Sequence, residues 1–160
     1  MATVSKTQRA TAGSLSIKPL TPAIGAEILD IDLSAPNIDL LIPSIRSALL
    51  KYGVIFFRNQ NLSQSQHIAF AKHFGELEIH PATPKNQENP EVLRITHGPK
   101  SRGSENNWHS DVTWREKPSM GSILLAREVP ECGGDTLFAN MHLAYELLSE
   151  PMKAHCNNLV

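Results

Sequence analysis

The run Asn106–Trp114, NNWHSDVTW, sets the tightest limit on the fold. It is dense in aromatic and β-branched residues, which favour extended backbone, so it reads as a strand. Side chains on a strand alternate faces, which puts His109 and Asp111 on one face and Trp108, Ser110, Val112 and Trp114 on the other. One face then carries polar donors and the other packing. An imidazole nitrogen and a carboxylate oxygen on adjacent same-face positions can be two corners of the 2-His-1-carboxylate triad that holds a non-haem Fe(II). An H-x-D tripeptide taken alone is more often a surface hydrogen-bonded pair than a metal site, so its context has to decide.

At 160 residues the chain is about one domain in size. With 41% hydrophobic and 19% charged residues it reads as soluble and globular. Fifteen basic against sixteen acidic residues leave a net charge of −1, so no overall field draws it to nucleic acid or to an anionic membrane. It has no apolar run of membrane-spanning length and no signal-peptide core, and a cytoplasmic location is the default expectation. Cys132 and Cys156 form no C-x-x-C pattern and read as free thiols.

Local signals place the remaining elements. Residues 1–13 are polar and read as a flexible tail, with 14–160 forming part of a single domain. Strands are expected over Ser14–Leu20, Ala26–Leu33 and the apolar VIFF run Val54–Phe57. An apolar stripe from Leu41 to Tyr52 predicts a helix over Asp39–Tyr52, with Pro43 in its first turn and Gly53 closing it. Ser63 and Gln66 have capping-box spacing for a helix running to Phe74. Strands are further expected at Leu77–Ile79, Glu91–Thr96, Gly121–Val129 and Thr136–Ala139, with a proline-rich loop from His80 to Pro90 and a turn at Gly133-Gly134-Asp135. Asn140 is a plausible N-cap for a helix through Leu148, and another helix starts near Glu150. The whole reads as α+β with a sheet or barrel-like core.

These blocks resemble the taurine dioxygenase (TauD/TfdA-like) family of Fe(II)- and 2-oxoglutarate-dependent dioxygenases, which includes alkylsulfate and herbicide-degrading members. The likeness runs from about residue 17 through GAEILDIDLS (Gly25–Ser34), GVIFFRNQ (Gly53–Gln60), FAKHFGELEIHP (Phe70–Pro81), NNWHSDVTW and GGDTLFANMHLAYELLS (Gly133–Ser149). A W-H-x-D strand followed by a GGDT turn is its specific part.

The resemblance implies an incomplete double-stranded β-helix (jelly-roll, clavaminate-synthase-like) core with flanking helices. It implies that His109 and Asp111 are iron ligands, that Thr136 binds a carboxylate of 2-oxoglutarate, and that His80 and Val112 contact substrate. It also implies O2 as cosubstrate and hydroxylation of a small organic anion, a sulfonate or alkyl sulfate, with release of succinate and CO2. Thr83 and Glu105 stand where the family pattern has a tyrosine and an asparagine, a departure from taurine as the substrate. The third ligand, a distal histidine, and the arginine suited to the far carboxylate of 2-oxoglutarate have no counterpart here, since His155 falls before the place for that ligand. The chain therefore reads as the N-terminal part of a longer enzyme, homo-oligomeric when complete, with no nucleic-acid or membrane partner. The alternative readings are a β-rich binding or assembly module without a catalytic metal, and a zinc hydrolase built on the same two ligands.

Overall fold

Ala26 and Ile28 alternate inward on the strand that carries the core of the structure, a computed structural model that describes residues 15–81, 83–84, 88–98 and 107–159. The expected tail over residues 1–13, and Glu105, lie outside the described residues. Two compact units divide the chain, Met1–Gln60 with Pro130–Val160 in one and Asn61–Val129 in the other.

The first unit is built on a three-stranded mixed sheet, β1 (Ser16–Pro19), β2 (Ala26–Leu29) and β3 (Ile55–Phe57), in the order β1-β2-β3. β1 and β2 run antiparallel with Ser16 opposite Leu29 and Pro19 opposite Ala26. Thr21 shapes the loop between them. Its hydroxyl donates to the Ile24 carbonyl at 2.6 Å and accepts from the Ile24 amide at 3.0 Å. β2 and β3 are parallel, so their connection must cross over, and helix α1 (Ile42–Tyr52) makes the crossing. A 3-10 turn, Ile38–Leu41, leads into it, and Pro43 sits in the first turn, where its missing N–H costs no helical bond. Ile45 and Ala48, three positions apart on one face, are buried. Gly53 ends the helix at φ +73°, its amide donating to the Leu49 carbonyl at 2.8 Å.

The alternation over Ala26–Leu33 predicts a longer second strand than the one that forms. Asp30 takes φ +54°, the left-handed region that Asp tolerates better than most residues, and the ladder stops at Leu29. A side chain then takes the place of a neighbouring strand. The Gln60 amide donates to the Ile31 carbonyl at 2.9 Å and accepts from the Leu33 amide at 2.9 Å.

Helices α3 (Met141–Glu146) and α4 (Glu150–Cys156) complete this unit. Asn140 caps α3 by accepting from the Leu143 amide at 3.0 Å, and its Nδ2 donates to the Ala23 carbonyl at 2.7 Å, tying the helix start to the β1–β2 loop. Phe138 meets Phe56 of β3 edge-on, with ring centroids 5.8 Å apart.

The second unit opens with α2 (Gln64–Lys72), where the capping box is complete: the Ser63 hydroxyl accepts from the Gln66 amide and the Gln66 side chain from the Ser63 amide. Phe70 is buried and meets Phe74 edge-on at 5.4 Å.

The strands expected at Leu77–Ile79, Glu91–Thr96, Gly121–Val129 and Thr136–Ala139 form no ladder among the described residues. Gly133 and Gly134 both take the positive φ expected of a tight turn, +80° and +73°, yet no strand flanks them among the described residues. Apolar patterning marks a segment as able to extend, but a strand also needs a partner for its N–H and C=O groups. Leu124, Val129 and Leu137 remain exposed accordingly. The observed class is α+β, a small mixed sheet with helices. Among the described residues no helix is long and apolar enough to cross a membrane.

Candidate metal centre

The expected H-x-D strand is replaced by a turn. Backbone 108–110 is irregular, 111–114 turns, and Val112 adopts φ +48°. A β-branched residue at positive φ is strained, which argues that surrounding contacts hold the turn in place. The Arg115 amide donates to the Val112 carbonyl at 3.1 Å, and the Arg115 guanidinium pairs with Glu78 and lies over the Trp114 ring. The expectation that Trp108 and Trp114 lock the segment by packing is also corrected. They are 70% and 76% exposed, since without a strand there is no opposite sheet face to bury them.

The turn nevertheless brings His109 and Asp111 together, with His109 Nε2 3.3 Å from Asp111 Oδ1. The other atoms of the pair are engaged. His109 Nδ1 lies 2.9 Å from the Asn107 carbonyl, which can only accept, so Nδ1 carries the proton and the neutral ring has its lone pair on Nε2. Ser122 Oγ donates to Asp111 Oδ2 at 3.0 Å, leaving Oδ1 facing the imidazole. A lone pair and a carboxylate oxygen at this distance repel unless a proton or a cation lies between them. Ligands about 2.1 Å from one ion at roughly a right angle are themselves about 3 Å apart, close to the separation seen. A hydrogen-bonded Nδ1 with Nε2 left to bind is also the usual arrangement of a metal-ligating histidine. The donor set therefore fits a divalent cation. Both side chains are more than half exposed, so solvent or a small molecule can reach them. Among the described residues no group of three or more His, Cys, Asp or Glu side chains could hold a metal, and the pair supplies two donors.

The other expected site residues lie on separate segments of the chain, apart from Val112. His80 is exposed and heads a turn in which its carbonyl accepts from the Thr83 amide at 2.8 Å. Val112 is half-buried, within the turn that carries Asp111. Thr136 is exposed and belongs to the first unit, just after the Gly133-Gly134 turn. Thr83 is 8% exposed, and its buried hydroxyl has no hydrogen-bond partner among the described residues.

Sequence reasoning missed Ser122 and the Asn107 carbonyl. Ser122 lies in a run readable only as strand, and nothing local tells that its hydroxyl meets a residue eleven positions earlier.

The family model for taurine catabolism dioxygenase TauD, TfdA family, matches residues 16–160. An alpha-ketoglutarate-dependent sulfate ester dioxygenase of Pseudomonas putida is 37% identical over 147 residues, 91% of this chain and 48% of that protein. An alkylsulfatase of Acinetobacter baylyi is also 37% identical, over 91% of this chain and 46% of its own length. Among solved structures, a taurine dioxygenase from Burkholderia xenovorans superposes with a TM-score of 0.76 at 38% identity, covering 91% of this chain and 51% of that one. AAD-2, crystallised with Mn(II) and N-oxalylglycine, gives 0.68 at 30% identity, covering 89% and 49%. The chain belongs to the TauD/TfdA family. It spans about half the length of the curated relatives it matches.

Proposed function

We propose that this chain is the metal-binding N-terminal part of an Fe(II)- and 2-oxoglutarate-dependent dioxygenase acting on a small organic anion, a sulfate ester or sulfonate. What carries the reading is the convergence of His109 Nε2 and Asp111 Oδ1, each fixed by a hydrogen bond on its other side. The activities of the relatives, on sulfate esters and alkyl sulfates, supply the substrate class.

His109 and Asp111 hold the iron, which when bound supplies the coupling of 2-oxoglutarate decarboxylation to substrate hydroxylation. The Thr136 hydroxyl donates to a 2-oxoglutarate carboxylate. His80 takes the anionic group of the substrate, and Val112 contacts its body. One O2 and one 2-oxoglutarate are consumed, giving succinate, CO2 and a substrate hydroxylated on the carbon that bears the sulfate oxygen. That product collapses to aldehyde and sulfate, or to aldehyde and sulfite from a sulfonate.

The test has two parts. Titration of the chain with Mn(II), followed by the EPR signal of the free ion, should show one site that is lost in both His109→Ala and Asp111→Ala. The enzyme that carries this chain, supplied with Fe(II) and 2-oxoglutarate, should form succinate and aldehyde from an alkyl sulfate only when O2 is present. Equal Mn(II) binding by the alanine variants, or anaerobic turnover with zinc, would sink the reading.

A further inference from the structure

We propose that Ser122 is a positioning residue for the metal-binding carboxylate, and that α2 holds it in place through His67. The inference rests on the reading of His109 and Asp111 as a cation site.

A free carboxylate rotates about its last torsion and presents either oxygen. The Ser122 hydroxyl, donating to Oδ2 at 3.0 Å, removes that freedom and leaves Oδ1 toward the imidazole. A serine can do this only if its own backbone is held, and here two side-chain-to-backbone bonds fasten its segment to the start of the second unit. His67 Nε2, on α2, lies 3.1 Å from the carbonyl of Ile123, the residue after Ser122; a carbonyl accepts, so Nε2 donates. Arg127 Nη2 donates to the Leu62 carbonyl at 2.7 Å, just before the Ser63 cap of the same helix. The capping box fixes where α2 begins, α2 fixes the 122–127 segment, and that segment fixes the carboxylate. Without such a brace an exposed aspartate would lose rotamer entropy at each binding event. Partners of this kind typically change metal affinity by about 10- to 100-fold when removed.

Ser122 is exposed, so replacing it leaves the core untouched. Mn(II) affinity, read by EPR on the 160-residue chain, should fall by about 10- to 100-fold in Ser122→Ala and return to near the wild-type value in Ser122→Thr, which keeps the hydroxyl. The melting temperature without metal should move little in either variant. His67→Ala should weaken binding in the same direction, and the double variant should fall no further than Ser122→Ala alone, because His67 acts through Ser122. Unchanged affinity in Ser122→Ala, or equal losses in the Ala and Thr variants, overturns the positioning role. Independent, additive losses overturn the part given to His67. Failure of the wild-type chain itself to bind Mn(II) overturns the cation-site reading, and this inference with it.

Discussion

Gln60 replaces a strand for Leu33: its Oε1 accepts from the Leu33 amide at 2.9 Å while its Nε2 donates to the Ile31 carbonyl, also at 2.9 Å. Leu33 is buried and Ile31 half-buried, so both backbone groups lose part of their access to water on folding and gain from the amide. Gln60→Ala leaves them unpaired and should cost about 1–3 kcal/mol, and Gln60→Glu, which keeps the acceptor and loses the donor, should cost less than Ala. Urea midpoints of the three proteins check this. An Ala variant as stable as wild type would show that water serves these groups equally well.

Gly53 has a comparable duty in backbone geometry. At φ +73° and ψ −37° it occupies a region that residues with a Cβ rarely enter, and an added Cβ would sit 3.4 Å from the Ile24 side chain. Gly53→Ala should destabilise by about 1–3 kcal/mol, mostly through backbone strain. Gly121 provides the control, since a Cβ there meets nothing within 4 Å among the described residues and its φ is ordinary. Gly121→Ala should shift the thermal midpoint far less than Gly53→Ala.

Asp32 gives the chain a specific acid sensitivity. The Ser34 hydroxyl and then the Ser34 amide donate to its carboxylate, and together they hold its pKa below the ordinary 3.8. A carboxylate depressed on folding stabilises the fold above its unfolded pKa, and this contribution disappears as pH falls through the folded value. The stability advantage of wild type over Asp32→Ala should therefore be constant near neutral pH and shrink as the pH drops below about 4. Thermal midpoints across an acid series read this out, and a gap that stays constant into strong acid would contradict it.

These features differ in how far the sequence discloses them. The Ser63–Gln66 capping box, the Gly53 stop and the Asn140 cap are settled within four residues, and each appears as its spacing predicts. The break at Asp30 is hidden because Leu29, Ile31 and Leu33 continue the alternation through it. The His109–Asp111 pair was legible, but through the wrong geometry. Two positions apart on a strand put side chains on one face, and here a turn with Val112 at positive φ achieves the same convergence. Its supports, Ser122 and the Asn107 carbonyl, depend on how distant or irregular backbone is placed, which no periodicity encodes.

The Thr83 hydroxyl is buried with no hydrogen-bond partner among the described residues, which costs it the hydration it had in the unfolded chain. Thr83→Val keeps the branched shape and removes the unsatisfied group, and should stabilise by about 1 kcal/mol. Thr83→Ser keeps the hydroxyl but loses the methyl, and should be less stable than wild type. Chemical denaturation of the three chains decides the matter. Destabilisation by Val comparable to that by Ser would mean that the hydroxyl is satisfied in solution.

Metal binding should be visible as stability, since a cation held only by the folded pair shifts the unfolding equilibrium by mass action. At about 100 times its dissociation constant, Mn(II) should add about 2.7 kcal/mol to the wild-type chain. The same addition should leave His109→Ala and Asp111→Ala at their metal-free midpoints, because each has lost one of the two donors that stand 3.3 Å apart. Asp111→Asn refines the test: it retains an oxygen for Ser122 to donate to and removes the negative charge, so it should respond far more weakly than wild type. A full shift in that variant would place the ion somewhere other than between His109 and Asp111.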